Sequence, residues 1–330
     1  MGLRDIESKD YFSENIYFAD TFNYLVYDGE KVIDPEHLRE LDTTAITIPY
    51  GNNARVPVQK YRDIFKLWDA MMCDDVIYVL LGGELQDKIH YAMPVKDGLY
   101  DMIGYANQVA SIKKSYRKKK TEQGGAGERD EQGEITVKNG VVRIRLTEEE
   151  FLSGLRKDDK LIPIITAVVY LGAEPWDGPR SLFDMLDVQD RRLYRCLNDY
   201  RLNLISPVEM DDSEFDKFST ELGFAMKVLK YQSEGADKII MQSGQNISPA
   251  TAHFLNNTMH LQLDIRARKG VVNMCRAMEK NNLKNRIIGA IEARKEDGWS
   301  DDDIVAKILK SYKEVKADYV RNLMKELAAG

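Results

Sequence analysis

Residues 76–88 read VIYVLLGGELQDK and carry the clearest strand pattern of the chain. The first six positions are apolar without interruption and rich in β-branched and aromatic side chains, as expected of a buried strand. Two glycines follow, and after them Glu84 and Gln86 stand two positions apart. Successive side chains of a strand point to opposite faces, so Glu84 and Gln86 should share one face. The pattern predicts a buried strand that ends in an acid and an amide on the same side.

The preceding segment, residues 56–72, fits either a strand or a helix by its hydrophobic pattern. A two-residue alternation favours the strand, with one face formed by Tyr61, Asp63, Phe65 and Leu67. Residues 73–75 read CDD and suit the turn of a hairpin. With the centre of that turn near position 74, antiparallel register sets Asp63 opposite residue 84 or 85. We therefore expect Asp63 and Glu84 to be neighbours on one face of a sheet.

The rest of the pattern predicts helices at both ends of the chain and further strands between them. Residues 13–29 should form a helix with Ser13 as its N-cap and Gly29 as its stop. A long amphipathic helix should follow Pro94, with a core-facing stripe of Leu99, Met102, Ile103, Ala106 and Val109. Further strands are expected near residues 45–49, 161–172 and 200–210, and a capping box of Thr147 and Glu150 begins another helix. The segment after Asp212 has a helical pattern throughout.

This order of elements predicts an α/β (α+β) fold, a mixed sheet flanked by helices with a helical C-terminal region. Residues 118–143 are charged, glycine-rich and poor in apolar residues, so they are expected to form a mobile insert. We place a first domain at residues 1–210 and a helical accessory or oligomerisation region at residues 211–330. Apolar positions of that tail need a partner surface, either on the same chain or across a homodimer: Ile287, Ile288, Ile291, Ile304, Ile308 and Leu309.

Composition excludes few classes of protein, but it bears on the cellular compartment and on binding to nucleic acid. The 330 residues are 43% hydrophobic and 31% charged, as in ordinary globular proteins, and they contain no apolar run of membrane-spanning length. Three widely spaced cysteines and the lack of a signal-peptide core favour a cytoplasmic protein. The net charge of −7 argues against retention on nucleic acid by overall charge, although a local basic groove stays compatible with it.

The predicted pair of Asp63 and Glu84 is the first candidate for chemistry. Two converging carboxylates repel each other unless they share a proton or bind a cation. Hard oxygen ligands of this kind suit Mg²⁺ or Mn²⁺, and Gln86 on the same face could orient a water or a phosphate oxygen. The alternative is that the acids are merely solvated strand ends, and that Gly82 and Gly83 form a bend or bulge that stops the strand.

Several long segments resemble one family of nucleases. They read FADTFNYLVYDG, LRELDTT, VQKYRDIFK, YVLLGGELQDKIHYAMPVKDGLYD, EFLSGLRKDDKLIPIITAVVYLGAEPWDGPRSLFDML and NLISPVEMDD. Together they look like the Rpn family of recombination-promoting nucleases, also labelled putative transposases, within the PD-(D/E)XK nuclease superfamily. The resemblance runs from about residue 5 to residue 230, with a weaker echo in NISPATAHFLNN and VVNMCRAMEK.

This resemblance implies a restriction-endonuclease-like core that binds Mg²⁺ or Mn²⁺ at the hairpin and hydrolyses DNA phosphodiesters. Asp63 would match the central metal-binding acid, Glu84 the second acid, and Gln86 the position that more often holds lysine in the superfamily. Asp20 on the first helix would match an acid that completes the metal shell. The sequence departs from the pattern at Gly83, where an apolar residue is expected.

Basic residues are candidate DNA contacts, each with a structural alternative. Lys96, one turn into the long helix, is either a phosphate contact or a solvated helix residue. The segment SIKKSYRKKK could follow a DNA backbone or serve as a solvated helix end, and it contains Lys113, Lys114, Arg117, Lys118, Lys119 and Lys120. Arg180 is either a phosphate contact or part of a structural loop. The function we expect is a metal-dependent DNA endonuclease, and the competing class is a DNA-binding or assembly protein on the same fold.

Overall fold

The computed structural model describes residues 3–47, 58–72, 75–121, 137–138, 141–142, 147–244, 246–261, 263, 265 and 270–329. The chain divides into two compact units, Met1–Gly223 and Phe224–Gly330, with the boundary C-terminal to the one we expected after residue 210. The helices are α1 Leu3–Ser13, α2 Asn15–Tyr27, α3 Met93–Thr121, α4 Glu148–Ser153, α5 Leu222–Lys230, α6 Ala236–Ser243, α7 Pro249–Thr258, α8 Met274–Glu296, α9 Asp301–Ser311 and α10 Ala317–Ala329. The strands are β1 Leu38–Glu40, β2 Thr44–Thr47, β3 Val58–Tyr61, β4 Ile64–Met72, β5 Asp75–Gln86, β6 Val137–Lys138, β7 Val141–Val142, β8 Ile164–Tyr170, β9 Asn203–Ile205, β10 Asn246–Ile247 and β11 Val272–Asn273.

The first unit is built on a five-stranded mixed sheet in the order β1-β4-β5-β8-β9. The pairs β1–β4 and β4–β5 are antiparallel, whereas β5–β8 and β8–β9 are parallel. This architecture confirms the predicted mixed α/β class. The sheet places β5, which carries Glu84, in the middle position with a strand on either side.

The β4–β5 hairpin has the predicted register. Pairing runs from Met72 opposite Asp75 to Ile64 opposite Gly83, and the same register brings position 63 opposite position 84. The ladder passes through Gly82 and Gly83 without an extra residue, so neither glycine marks a bulge. Residues 73–74 of the predicted turn lie outside the described residues.

The first face of the sheet is covered by α1 and α2. The buried side chains of Ile64, Lys66 and Trp68 lie on this face of β4. Lys66 Nζ donates to the backbone oxygen of Ser13 and to Asn15 Oδ1, each at 2.5 Å, so the junction of the two helices is tied to the sheet. Ser13 ends α1, and Glu14 occupies the N-cap position of α2, so our prediction of Ser13 as N-cap was wrong.

The opposite face of the sheet is covered by α3, which turns a different side inward from the one predicted. Leu99 and Met102 of the predicted apolar stripe are 39% and 58% exposed, although Ile103 is buried. Asp97 and Asp101 are almost completely buried instead. Polar partners on the sheet and on the loop before β9 explain the difference, because Arg62, Thr166 and Tyr200 all bond to these acids. A stripe deduced from apolar residues alone does not detect a helix that docks through carboxylates.

The predicted insert at residues 118–143 overlaps the end of α3, which continues to Thr121. Beyond that point only β6 and β7, which pair antiparallel, belong to the described residues. Residues 122–136, 139–140 and 143–146 lie outside them. The capping box of Thr147 and Glu150 at the start of α4 is confirmed.

The second unit has a helical core formed by α8, α9 and α10. Ile287, Ile291, Ile304 and Ile308 are buried in it with Val320, Leu323 and Met324, and Leu309 packs against the cluster. Five of the six apolar positions that needed a partner therefore find one on the same chain, and Ile288 is not part of this cluster. A homodimer through the C-terminal helices stays a prediction, and it would require residues outside this core. No helix in the described part of the chain is both long and apolar enough to cross a membrane.

Candidate metal centre

Asp63 and Glu84 are brought together where the β4–β5 hairpin ends. Asp63 is the last residue before β4, and its Oδ2 accepts a hydrogen bond of 2.9 Å from the backbone N–H of Leu85. Glu84 belongs to β5, and the continuing register sets it opposite Asp63. The hairpin thus places Glu84 in its ladder and holds the Asp63 carboxylate by a backbone N–H of the same strand.

Glu84 is a buried carboxylate with one oxygen paired and one unpaired. Its side chain is 1% exposed, and Oε2 forms an ion pair of 2.8 Å with Lys96 Nζ. Oε1 is buried and accepts no hydrogen bond from the described residues. Leaving an acceptor of this kind without a donor or a cation costs about 1–3 kcal/mol or more. Burial is the main reason that the pKa of Glu84 is raised to about 7. The positive charge of Lys96 lowers the pKa, whereas the negative charge of Asp63 raises it.

Lys96 is a member of this site rather than a solvated helix residue. Its side chain is about a quarter exposed and reaches from α3 to Glu84. Burial by itself would lower the pKa of Lys96, but the pairing with Glu84 and the charge of Asp63 outweigh burial and raise it. Lys96 is therefore held as a cation beside the two acids.

Gln86 lies two positions beyond Glu84 on the same side of β5, as predicted. Its Nε2 donates to the backbone oxygen of Leu85 at 2.9 Å. The side chain is half-buried and ends the strand beside the carboxylate pair. Its amide oxygen makes no bond to the described residues in this arrangement.

Asp20 is occupied by partners of its own in this structure, and its place in the metal shell stays a prediction. Its Oδ1 accepts from the backbone N–H and hydroxyl of Ser219 at 2.8 and 2.9 Å, and Oδ2 accepts from those of Thr220 at 3.0 and 2.6 Å. Four donors saturate the carboxylate and hold the residues that precede α5. No group of three or more acid, histidine or cysteine side chains able to hold a metal occurs in the described part of the chain.

A second polar cluster lies beside the carboxylate pair and was not anticipated from the sequence. Arg62 Nη2 donates to Asp101 Oδ1 at 2.6 Å, and Arg62 Nη1 donates to Thr166 Oγ1 at 2.5 Å. The Tyr200 hydroxyl lies 2.6 Å from Asp101 Oδ2 and 3.3 Å from Asp97 Oδ2. The only signal in the sequence was the i, i+4 spacing of Asp97 and Asp101, which puts two acids on one helix face.

This arrangement raises the pKa of Asp97. A tyrosine hydroxyl has one hydrogen to donate, and its shorter distance is to Asp101. Asp97 completes the chain of hydrogen bonds when it is protonated and donates to the Tyr200 oxygen. Burial, and then the charge of Asp101, raise the pKa of Asp97 to about 7.

The other basic candidates lie away from the carboxylate pair or have partners of their own. Arg180 Nη2 pairs with Glu209 Oε1 at 2.6 Å, in agreement with the structural alternative. Lys113 is half-buried and Lys114 exposed on α3, whereas the side chains of Arg117, Lys118, Lys119 and Lys120 lie outside the described residues.

Comparison of the chain with protein-family models, with curated proteins and with solved structures finds no match.

We expect Asp20→Asn to lower stability without changing metal affinity. The amide would turn its NH₂ group toward donors that now meet a carboxylate, so the free energy of unfolding should fall by about 2–3 kcal/mol. Chemical denaturation and Mn²⁺ titration of the folded protein measure the two effects. Asp28→Asn, at the exposed end of the same helix, is the control. A loss of Mn²⁺ affinity in Asp20→Asn would restore Asp20 to the metal shell.

Asp97→Asn should remove a pH dependence of stability. The pKa of Asp97 rises from 3.8 to about 7 on folding, so its contribution to stability is full below the lower value and lost as pH rises through about 7. Asparagine stays neutral, so between about pH 5 and pH 8 the variant should gain roughly 2 kcal/mol relative to wild type. Denaturation curves at both pH values test this, with the exposed Asp87→Asn as control. A difference from wild type that does not change with pH would contradict it.

Proposed function

We propose that this chain is a metal-dependent DNA endonuclease in which Asp63 and Glu84 bind Mg²⁺ or Mn²⁺. The observation that carries the proposal is the buried Glu84 Oε1, an acceptor without a partner in the described part of the chain beside a second carboxylate. A divalent cation would satisfy that oxygen and remove the repulsion between the two acids. Two carboxylates are sufficient, because Mg²⁺ keeps several waters and takes its other ligands from substrate phosphate.

The residues of the site fit this cation. Asp63 is held by the Leu85 N–H through one oxygen, which leaves Oδ1 without a bond to the described residues. Lys96 holds Glu84 Oε2 and thereby leaves Oε1 as the oxygen that would bind the cation. When bound, the cation would polarise a phosphodiester and activate a water. Lys96 would add positive charge next to the phosphate, and Gln86 would orient a water or a phosphate oxygen.

DNA is the substrate favoured by the resemblance to the Rpn family and the PD-(D/E)XK superfamily. The mixed sheet, the hairpin acids and the flanking helices agree with that resemblance, although the finer family assignment is part of the proposal. Lys113 and Lys114 follow Lys96 along α3 at a separation of about 25 Å, by the rise of 1.5 Å per residue. A DNA backbone lying along α3 would meet the site at one end and these cations further on.

The second candidate function is DNA binding or assembly without cleavage. It is favoured by the ion pair of Lys96 with Glu84, which already supplies the buried acid with a positive partner. In that case Lys96 would take the place of the cation, and the pair would be a structural element of the fold. The two functions predict different behaviour toward divalent cations.

Nicking of supercoiled plasmid in Mg²⁺ or Mn²⁺ separates them. We expect wild type to nick, and Asp63→Asn and Glu84→Gln each to reduce the rate by at least about 100-fold, because each removes a charged ligand. Asp87→Asn, an exposed acid at the end of the same strand, should nick like wild type. Nicking that survives both site substitutions would refute the assignment. DNA retention in a mobility-shift assay without any cleavage would favour the binding function.

A further inference from the structure

The guanidinium of Arg62 connects the parts of the molecule that supply the candidate metal centre. Arg62 lies between β3 and β4, directly before Asp63, and is 4% exposed. One nitrogen bonds to Thr166 on β8 and another to Asp101 on α3. The group also lies 5.2 Å from the ring centre of Phe65 and 5.4 Å from that of Tyr100. Arg62 therefore bridges the strand that begins after Asp63, a second strand of the sheet, and α3.

These contacts connect Arg62 to the carboxylate pair by two routes, one through α3 and one through the chain itself. The helix that holds Asp101 also carries Lys96, and Lys96 pairs with Glu84. Glu84 is followed by Leu85, whose N–H holds Asp63, and Asp63 follows Arg62 in the chain. Asp63 lies outside the regular strand, so its backbone is fixed by what holds Arg62 on one side and Ile64 on the other. A displaced guanidinium would move both Asp63 and the helix that presents Lys96.

The absence of a side chain at Gly82 leaves room for this guanidinium. A Cβ at Gly82 would overlap Arg62 Nη1 and come within 2.8 Å of Thr166 Oγ1. A Cβ at Gly83 would instead lie 3.4 Å from Ile64 Cβ and 3.5 Å from Phe18, in ordinary contact. Neither glycine has a positive φ, so the strand backbone does not itself require glycine. The missing side chain at position 82 is needed because Arg62 lies against the strand there.

We propose that Arg62 is a positioning residue for the metal centre, seated against Gly82 and held by Asp101 and Thr166 so that Asp63 and Lys96 meet Glu84. This role rests on the proposed metal-dependent function. Arg62 does not touch the cation or substrate in this role and acts through Asp63 and α3. The competing explanation is a buried ion pair that only stabilises the fold.

A double-mutant cycle between positions 62 and 82 tests the proposal, with Gly83→Ala as the matched control on the next residue. The variants are Gly82→Ala, Arg62→Ala and the double variant, and the readouts are thermal midpoint, Mn²⁺ affinity of the folded protein and plasmid nicking. Gly82→Ala and Arg62→Ala should each weaken Mn²⁺ binding and nicking by about 10–100-fold. The double variant should be little worse than Arg62→Ala, because without the guanidinium the shortest contact of the added methyl group is gone and only the contact with Thr166 Oγ1 remains.

Arg62→Lys is an additional variant, and it replaces Arg62→Ala in the cycle if Arg62→Ala does not fold. A single ammonium cannot bridge Asp101 and Thr166 as the fork does, so Arg62→Lys should lose Mn²⁺ affinity while keeping the charge. Its smaller head should also reduce the cost of Gly82→Ala.

Three results would overturn this role. Variants with a lower thermal midpoint but wild-type Mn²⁺ affinity and nicking in the folded protein would make Arg62 a stabilising residue only. Additive effects at positions 62 and 82 would show that Gly82 does not accommodate Arg62. Wild-type protein that neither binds Mn²⁺ nor nicks would refute the proposed function and this role with it, and in that case the thermal coupling of the two positions would still report their contact.

Discussion

The burial of the Glu84 carboxylate is the constraint on which the first unit depends. A charge removed from water is costly unless it is paired, and this one lies in the central strand of the sheet with a second acid beside it. Lys96 neutralises one oxygen and leaves the other unpaired within the described residues. The arrangement resolves the repulsion only in part, and a proton or, in the function proposed above, a divalent cation would complete it.

The helix α3 docks onto this site through polar groups. Asp97 and Asp101 share the inward face of the helix at i, i+4 spacing, and the partly exposed Lys96 reaches Glu84 from beside that face. Arg62, Thr166 and Tyr200 supply the bonds that make this burial tolerable. Directional bonds of this kind specify one position of a helix more strictly than apolar packing does. The cost is a raised pKa of Asp97, whose ionisation makes stability depend on pH.

The hairpin could be predicted from the sequence because antiparallel pairing obeys simple arithmetic once the turn is located. That arithmetic was enough to bring Asp63 opposite Glu84. The inward face of α3 could not be predicted, since hydrophobic periodicity selects apolar side chains and this face contains two acids. The bonds of Asp20 could not be predicted either, because its partners, Ser219 and Thr220, lie about 200 positions away and leave no local signal. The reason for Gly82 could not be predicted for the same reason. The contact that excludes a side chain there comes from Arg62, twenty positions earlier, and not from the backbone of Gly82 itself. Membership of a nuclease family stays a prediction from the resemblance.

The most direct test of a cation at Asp63 and Glu84 is calorimetric titration of the DNA-free protein with Mn²⁺ near pH 6.5, in buffers that differ in ionisation enthalpy. The pKa of Glu84 is raised to about 7, so a large fraction of the side chain is protonated there and must lose its proton to bind a metal. The account predicts one Mn²⁺ per chain, bound with net release of a proton, and loss of both binding and proton release in Glu84→Gln. Absence of Mn²⁺ binding to wild type, or binding that is unchanged in Glu84→Gln, would contradict it.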